Sequence, residues 1–134
     1  MSNVKQITLG GVTVNIGCAL AKNQKELYYL VYPFADRLYR EVEGIPELSV
    51  KELANVMGFI GFEMMEKIER LALSRTFVHG AEQPVTESDF NGNIDAYHTL
   101  IAHAVEVNLT PFFKRLAEER RERLAKLPKK KAAQ

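Results

Sequence analysis

The clearest structural signal in the chain is the run ITLGGVTVNI, residues 7–16. Apolar residues alternate with threonine and asparagine on both sides of Gly10 and Gly11, which is typical of two half-buried strands. Glycine supplies the positive φ angles that a tight two-residue turn needs. We therefore predict a β-hairpin over about residues 4–16. Because an isolated hairpin is marginal in water, it must pack on the rest of the chain or pair with another chain's strand.

The segments after the hairpin have the apolar periodicity of helices. One helix is predicted from Asn23, as its N-cap, to Glu43, with a kink or a break near Tyr32 because Pro33 follows. A second, long helix is predicted after the capping box of Ser49–Glu52, and it carries a wide apolar stripe. That stripe consists of Leu53, Met57, Ile60, Met64, Ile68 and Leu71.

The second half of the chain contains breakers followed by two more helices. Residues 76–92 contain His-Gly and Asn-Gly pairs and a proline, so we expect an irregular region there, with one short helical turn over residues 86–89. A helix is predicted over residues 94–108, and Pro111 suits the first turn of the next one. The fold class that follows is mainly α: a small helical domain with an N-terminal β-hairpin and a charged C-terminal helix and tail.

Charge is distributed unevenly along a chain whose net charge is only +1. From Lys114 onward nine basic residues face three acidic ones, a net charge of +6, while the preceding residues carry nine basic and fourteen acidic residues, a net charge of −5. We predict a single domain over residues 1–127 and a disordered basic tail over residues 128–134. Such a tail can bind nucleic acid, a membrane surface or an acidic partner, or it can simply be solvated.

No residue pattern predicts a catalytic site, a cofactor or a metal. Cys18 is the single cysteine and forms no internal disulfide, which fits a reducing cytosol. His98 and His103 are five residues apart, whereas a helical zinc pair requires a spacing of four, and His79 has no neighbouring ligand cluster. The apolar run Val56–Phe62 is far shorter than the roughly 20 residues that span a bilayer. We therefore expect a protein that is not an enzyme and does not enter a membrane.

The stretch from Met57 to Met65, MGFIGFEMM, is the strongest candidate for a binding surface. Methionines repack around varied partners, and phenylalanines beside glycines are suited to an adaptable groove. The candidate partner-binding residues here are Phe59, Phe62, Met64 and Met65. The alternative is a plain core helix.

A second candidate surface begins at Phe112 and Phe113. Neighbours on a helix diverge by about 100°, so we expect one ring to pack inside while the other meets a partner. The alternative is that both rings are buried at a corner between helices. The basic residues that follow are candidates for contact with an acidic partner, and they are Arg115, Arg120 and Arg121.

Together these features resemble the tail assembly chaperones of long-tailed bacteriophages. The resemblance covers roughly residues 5–116 and rests on three stretches. These are the hairpin strand pair over residues 7–14, a Leu- and Pro-containing helix over residues 26–38, and a Val-Asn-x-x-x-Phe-Phe-like stretch within residues 105–113.

The resemblance implies a role without catalysis. Such chaperones bind the tape measure protein, a very long helical chain, and keep it soluble until the tail tube protein, a second expected partner, polymerises around it. A homo-oligomer is expected because many copies serve one client. The resemblance also implies the host cell cytoplasm as the location and absence from the mature virion.

The sequence also allows two hypotheses from other functional classes. One is a small DNA-associated regulatory or packaging protein that uses its basic tail. The other is a minor structural component of the virion. Nucleic acid is not the expected partner, because Glu118, Glu119 and Glu122 are interleaved with the arginines and weaken the attraction of phosphate.

Overall fold

A computed structural model describes residues 4–41 and 50–126, including all of their side chains except those of residues 35–41, 120 and 124. The chain is mainly helical with an N-terminal β-hairpin and a charged C-terminal helix, so the predicted fold class is confirmed. In chain order the elements are β1 (Lys5–Leu9), β2 (Val12–Ile16), α1 (Ala21–Glu41), α2 (Val50–Met57), α3 (Phe62–Ala72), β3 (Thr76–Val78), a 3₁₀-helix (Glu87–Phe90), α4 (Ile94–Asn108) and α5 (Thr110–Lys126).

The predicted hairpin is confirmed. Strands β1 and β2 pair antiparallel, with Leu9 opposite Val12, and the turn residues Gly10 and Gly11 have φ angles of 56° and 81°. Positive φ at both central residues matches the right-handed twist of the strands. A third strand, β3, pairs antiparallel with β2, so the sheet order is β1-β2-β3. The prediction that residues 76–92 are irregular is therefore wrong for residues 76–78, which form β3.

Helix α1 continues through Pro33, so of the predicted kink or break near Tyr32 the break is wrong and the kink stays a prediction. It begins at Ala21, two residues before the predicted cap at Asn23. Proline inside a helix removes one hydrogen bond and clashes with the preceding turn, at a cost of about 3 kcal/mol. Burial of apolar residues of α1, such as Leu27, offsets that cost. The predicted helix end at residue 43 and the cap at residue 49 lie outside the described residues.

The long second helix is in fact two helices, α2 and α3, so that prediction is wrong. The separating residues include Gly58 and Gly61, each of which lowers helix propensity by about 1 kcal/mol. Gly61 has φ 103° and ψ 151°, a conformation that side chains with a Cβ rarely adopt. The hydrogen bonds from the Phe59 and Ile60 amides reach only three residues back, which tightens the end of α2.

Helices α4 and α5 follow the predicted pattern. The Asn93 side chain caps α4 by accepting a hydrogen bond from the Ala96 amide at 3.1 Å. Pro111 occupies the first turn of α5, as predicted. The short helical turn expected at 86–89 is the 3₁₀-helix. The apolar residues that recur at helical spacing along α4 are all buried, and these are Tyr97, Leu100, Ile101, Ala104 and Val105.

Helix α4 is central, with contacts to α2, α3, α5 and β1. Its last residue, Asn108, is buried and joins three parts of the fold. The Asn108 side chain accepts a hydrogen bond from the Ala19 amide at 2.7 Å and donates to the carbonyl oxygens of Ala72 and Ala104 at 3.2 and 2.8 Å. Within the described ranges, no helix has the length and apolarity to cross a membrane. The predicted tail over residues 128–134 lies outside those ranges and stays a prediction.

Candidate functional site

The break between α2 and α3 leaves two large aromatic side chains outside the core. Phe59 is 90% exposed and Phe62 is 78% exposed, and Ile94 at the start of α4 is 64% exposed. Single exposed apolar residues are ordinary in proteins, but several large ones close together indicate an interaction surface. The sequence prediction that Phe59 and Phe62 are available to a partner is therefore consistent with their exposure.

Phe62 and Ile94 line a groove of about 500 Å³ between the start of α3 and the first turns of α4. A volume of that size lies within the range of about 300–1,000 Å³ that binding pockets usually have. The buried residues Met57, Tyr97 and Ile101 also line it, so its inner surface is largely apolar. The other lining residues are Gly58, Gly61, Met65, Glu66, Glu69, Glu87 and His98.

Three carboxylates, Glu66, Glu69 and Glu87, form what we call the acidic rim of the groove. Burial raises the pKa of the Glu69 carboxyl, and repulsion from Glu87 and Glu66 raises it further, against the lowering effect of a hydrogen bond from Tyr97. The rim carboxylates are thus close enough to repel one another. No lysine or arginine is among the groove's lining residues in the described part of the chain. The groove therefore combines an apolar surface with an acidic rim, and Arg70 lines the neighbouring pocket together with Glu69 and Glu87.

Two side chains of α4 hold the groove's walls together. The Tyr97 hydroxyl donates a hydrogen bond to Glu69 Oε2 at 2.7 Å, which ties α4 to α3. His98 Nε2 lies 2.7 Å from the Ala54 carbonyl oxygen and donates to it, which ties α4 to α2. Because both walls are tethered to one rigid helix, the groove is formed before any partner arrives.

The remaining candidates in this stretch differ in position. Met65 is half-buried and lines the groove, whereas Met64 packs against the core and is absent from the groove's lining.

Phe112 and Phe113 are both buried, so the expectation that one of these rings faces outward is wrong. The alternative, burial at a helix corner, is what the structure has. Both sides of the first turn of α5 are covered, because α1 and α4 both pack against it.

The basic candidates on α5 lie away from the groove. Arg115 is exposed, and its guanidinium lies 5.4 Å from the centre of the Phe112 ring and 3.9 Å from a carboxylate oxygen of Glu119. Arg121 is exposed, and the side chain of Arg120 is outside the described set. Neither Arg115 nor Arg121 lines the groove, so these two arginines do not form one site with Phe62.

Sequence reasoning missed Ile94 and the acidic rim. Ile94 follows the breakers Asn91, Gly92 and Asn93, and nothing in its neighbourhood distinguishes an exposed isoleucine from a buried one. The rim joins residues of α3 with one from the 3₁₀-helix that are far apart in sequence. A second missed feature is an aromatic cluster at the α1–α5 contact, in which Tyr28, Tyr29 and Tyr32 join Phe112. Its sequence signal is YYLVY at residues 28–32.

The ionisable side chains that the structure describes outside the groove include His103 and Cys18. Among residues 4–41 and 50–126, no group of three His, Cys, Asp or Glu side chains has the arrangement that could hold a metal ion. His103 has a buried Nδ1 without a hydrogen-bond partner, and burial and the nearby Lys5 lower the pKa of its imidazole. Cys18 is half-buried, with its thiol 3.9 Å from the carbonyl oxygen of Val107.

Comparison of the chain with known protein families, with curated proteins and with solved structures gives no match.

Proposed function

We propose that this chain is a non-catalytic protein that binds apolar helices and acts as a tail assembly chaperone of long-tailed bacteriophages. Its client is the tape measure protein, which it keeps in solution in the host cytoplasm until the tail tube protein polymerises around it. The observation that carries the proposal is the exposure of Phe62 at an apolar groove, together with the exposure of Phe59 in the segment that joins α2 to α3.

The physical requirement of such a client fits this surface. A long helix with an apolar stripe aggregates through that stripe unless something covers it. A groove receives a helix through side chains that recur every three to four residues. Met65 lines this groove and is only half-buried, so its flexible side chain can adapt to different side chains along a client.

The size of the surface favours many copies on one client. Covering the exposed rings of Phe59 and Phe62 returns about 3–6 kcal/mol in total, before the cost of ordering the two partners. A micromolar complex requires about 8 kcal/mol. One groove alone therefore binds weakly, and a long client gains stability by occupying several copies at once.

Co-expression with the tape measure protein of the same virus tests the proposal. We expect the wild-type chain to raise the soluble fraction of that protein, and the double variant Phe59→Ser/Phe62→Ser to lose the effect. The matched control is Leu20→Ser/Tyr29→Ser, because these two side chains are 62% and 65% exposed and lie away from the groove. The proposal is overturned if the wild-type chain leaves the solubility of the tape measure protein unchanged.

The other two readings predict different results. A DNA-associated protein shifts a labelled duplex at low salt and loses the shift steeply as salt rises. A minor virion component is found by mass spectrometry in purified particles, whereas an assembly chaperone is absent from them.

A further inference from the structure

Three carboxylates line the groove, and none of its described lining residues is a lysine or an arginine. Glu66 and Glu87 are exposed at its rim, and Glu69 is half-buried beside them. Burial is the main cause of the raised pKa of the Glu69 carboxyl, and repulsion from Glu87 and Glu66 adds to it. A cationic side chain at the exposed rim offsets this repulsion while it stays in contact with water. The occupant that fits the groove is therefore an apolar helix flanked by lysine or arginine.

The chain itself contains a segment of that chemistry. Residues 120–131, RRERLAKLPKKK, which we call the basic segment, hold seven basic residues and one acidic residue. Leu124 and Leu127 are three positions apart, which places them on the same face wherever the segment is helical. No other part of the sequence combines this charge with two leucines at helical spacing.

The second half of α5 contributes no described side chain to the core. The buried residues of α5 end at Ala117, and the described residues from Glu118 to Lys126 are exposed. Because these residues are exposed, the basic segment's described part does not lie in the groove of its own copy.

We propose that the basic segment of one copy docks in the groove of a second copy. Leu124 and Leu127 contact the apolar surface beside Phe62, and the flanking basic side chains pair with the acidic rim. The contact joins different surfaces on the two copies, so it propagates into a chain of copies unless it closes into a ring. The inference rests on the same groove as the proposed function and makes the basic segment a competitor of the client helix.

A charge swap tests this contact. One variant, Glu66→Lys/Glu87→Lys, reverses the charge of two rim residues. A second variant, Arg123→Glu/Lys126→Glu, reverses the charge of two residues of the basic segment. All four residues are exposed, so we expect both variants to fold. Sedimentation velocity at low salt is expected to show association of the wild-type chain that weakens at high salt. Each variant alone is expected to associate at least about tenfold more weakly. Mixing the two variants restores association.

Controls with the same charge changes elsewhere isolate the contact. Glu26→Lys/Glu82→Lys and Lys22→Glu/Lys25→Glu alter exposed residues outside the groove and the basic segment, and both are expected to associate like the wild-type chain. The inference is overturned if the wild-type chain stays monomeric at low salt, or if mixing the reversed variants restores nothing. If either result accompanies solubilisation of the tape measure protein, the proposed function stands and this inference alone fails.

Discussion

Truncating Phe62 and truncating Phe112 to alanine should have opposite consequences, although both residues lie in stretches that resemble binding surfaces in sequence. Phe62 is 78% exposed, whereas Phe112 is 6% exposed and stacks against Tyr32 at a ring distance of 5.5 Å. We expect the exposed ring to serve partner binding and the buried ring to serve folding. Phe62→Ala therefore weakens partner binding, and Phe112→Ala lowers the free energy of unfolding.

The magnitudes follow from the buried area. A phenylalanine side chain buries about 150–250 Å² when it is fully covered. In the free chain, only about a fifth of the surface of Phe62 is buried. At about 25 cal/mol per Å², Phe62→Ala costs about 1 kcal/mol of stability. Phe112→Ala removes a buried ring and leaves a cavity, at a cost of about 3–5 kcal/mol.

Urea unfolding followed by circular dichroism measures both values. We expect the midpoint for Phe62→Ala to lie near that of the wild-type chain and the midpoint for Phe112→Ala to fall sharply, with similar slopes for all three proteins. A loss above about 2 kcal/mol for Phe62→Ala would refute the reasoning, because it would mean that this ring stabilises the free chain's own fold.

Three other substitutions or conditions test the fold that holds the groove. Asn108→Ala leaves buried backbone groups without the hydrogen bonds that the Asn108 side chain makes, and it should lower the free energy of unfolding by about 3 kcal/mol. The exposed control Thr110→Ala should change that free energy by less than about 1 kcal/mol. Equal effects of the two substitutions in urea unfolding would contradict this prediction. Gly61→Ala should cost about 1–3 kcal/mol through backbone strain alone, since the added Cβ meets open space; an unchanged melting temperature would contradict the role of this glycine in the break. Folding lowers the pKa of His103 below its ordinary 6.5, so the free energy of unfolding should be largest above pH 6.5 and should fall as the pH drops below that value. The difference in melting temperature between pH 7.5 and pH 5.5 should be smaller for His103→Gln than for the wild-type chain. Equal differences for the two proteins would contradict this role of His103.

Local signals in the sequence were sufficient for the elements whose cause is local. Gly10 and Gly11 specify the hairpin turn, and Pro111 marks the start of α5. The break between α2 and α3 was missed because the apolar stripe continues in register on both sides of it. The positive φ angle of Gly61 and the short-range hydrogen bonds of the Phe59 and Ile60 amides show that the two halves are separate helices.

Long-range contacts account for the other errors. Strand β3 is three residues long, and its pairing with β2 rather than its own composition makes it a strand. Phe112 and Phe113 are both buried because α5 begins in a corner between α1 and α4, which a single-face helix pattern does not anticipate. Of the residues that line the groove, the sequence indicated Phe62 and Met65 as candidates for partner binding. Its opposite wall and its acidic rim come from segments distant in the chain.

Amide hydrogen exchange on the chain, free and in complex with the co-expressed tape measure protein, tests most directly whether the groove is the binding surface. We expect slower exchange over residues 58–66 and 94–101, which form the groove's two walls. Unchanged exchange in both ranges, with protection confined to the hairpin or to α5, would contradict the assignment.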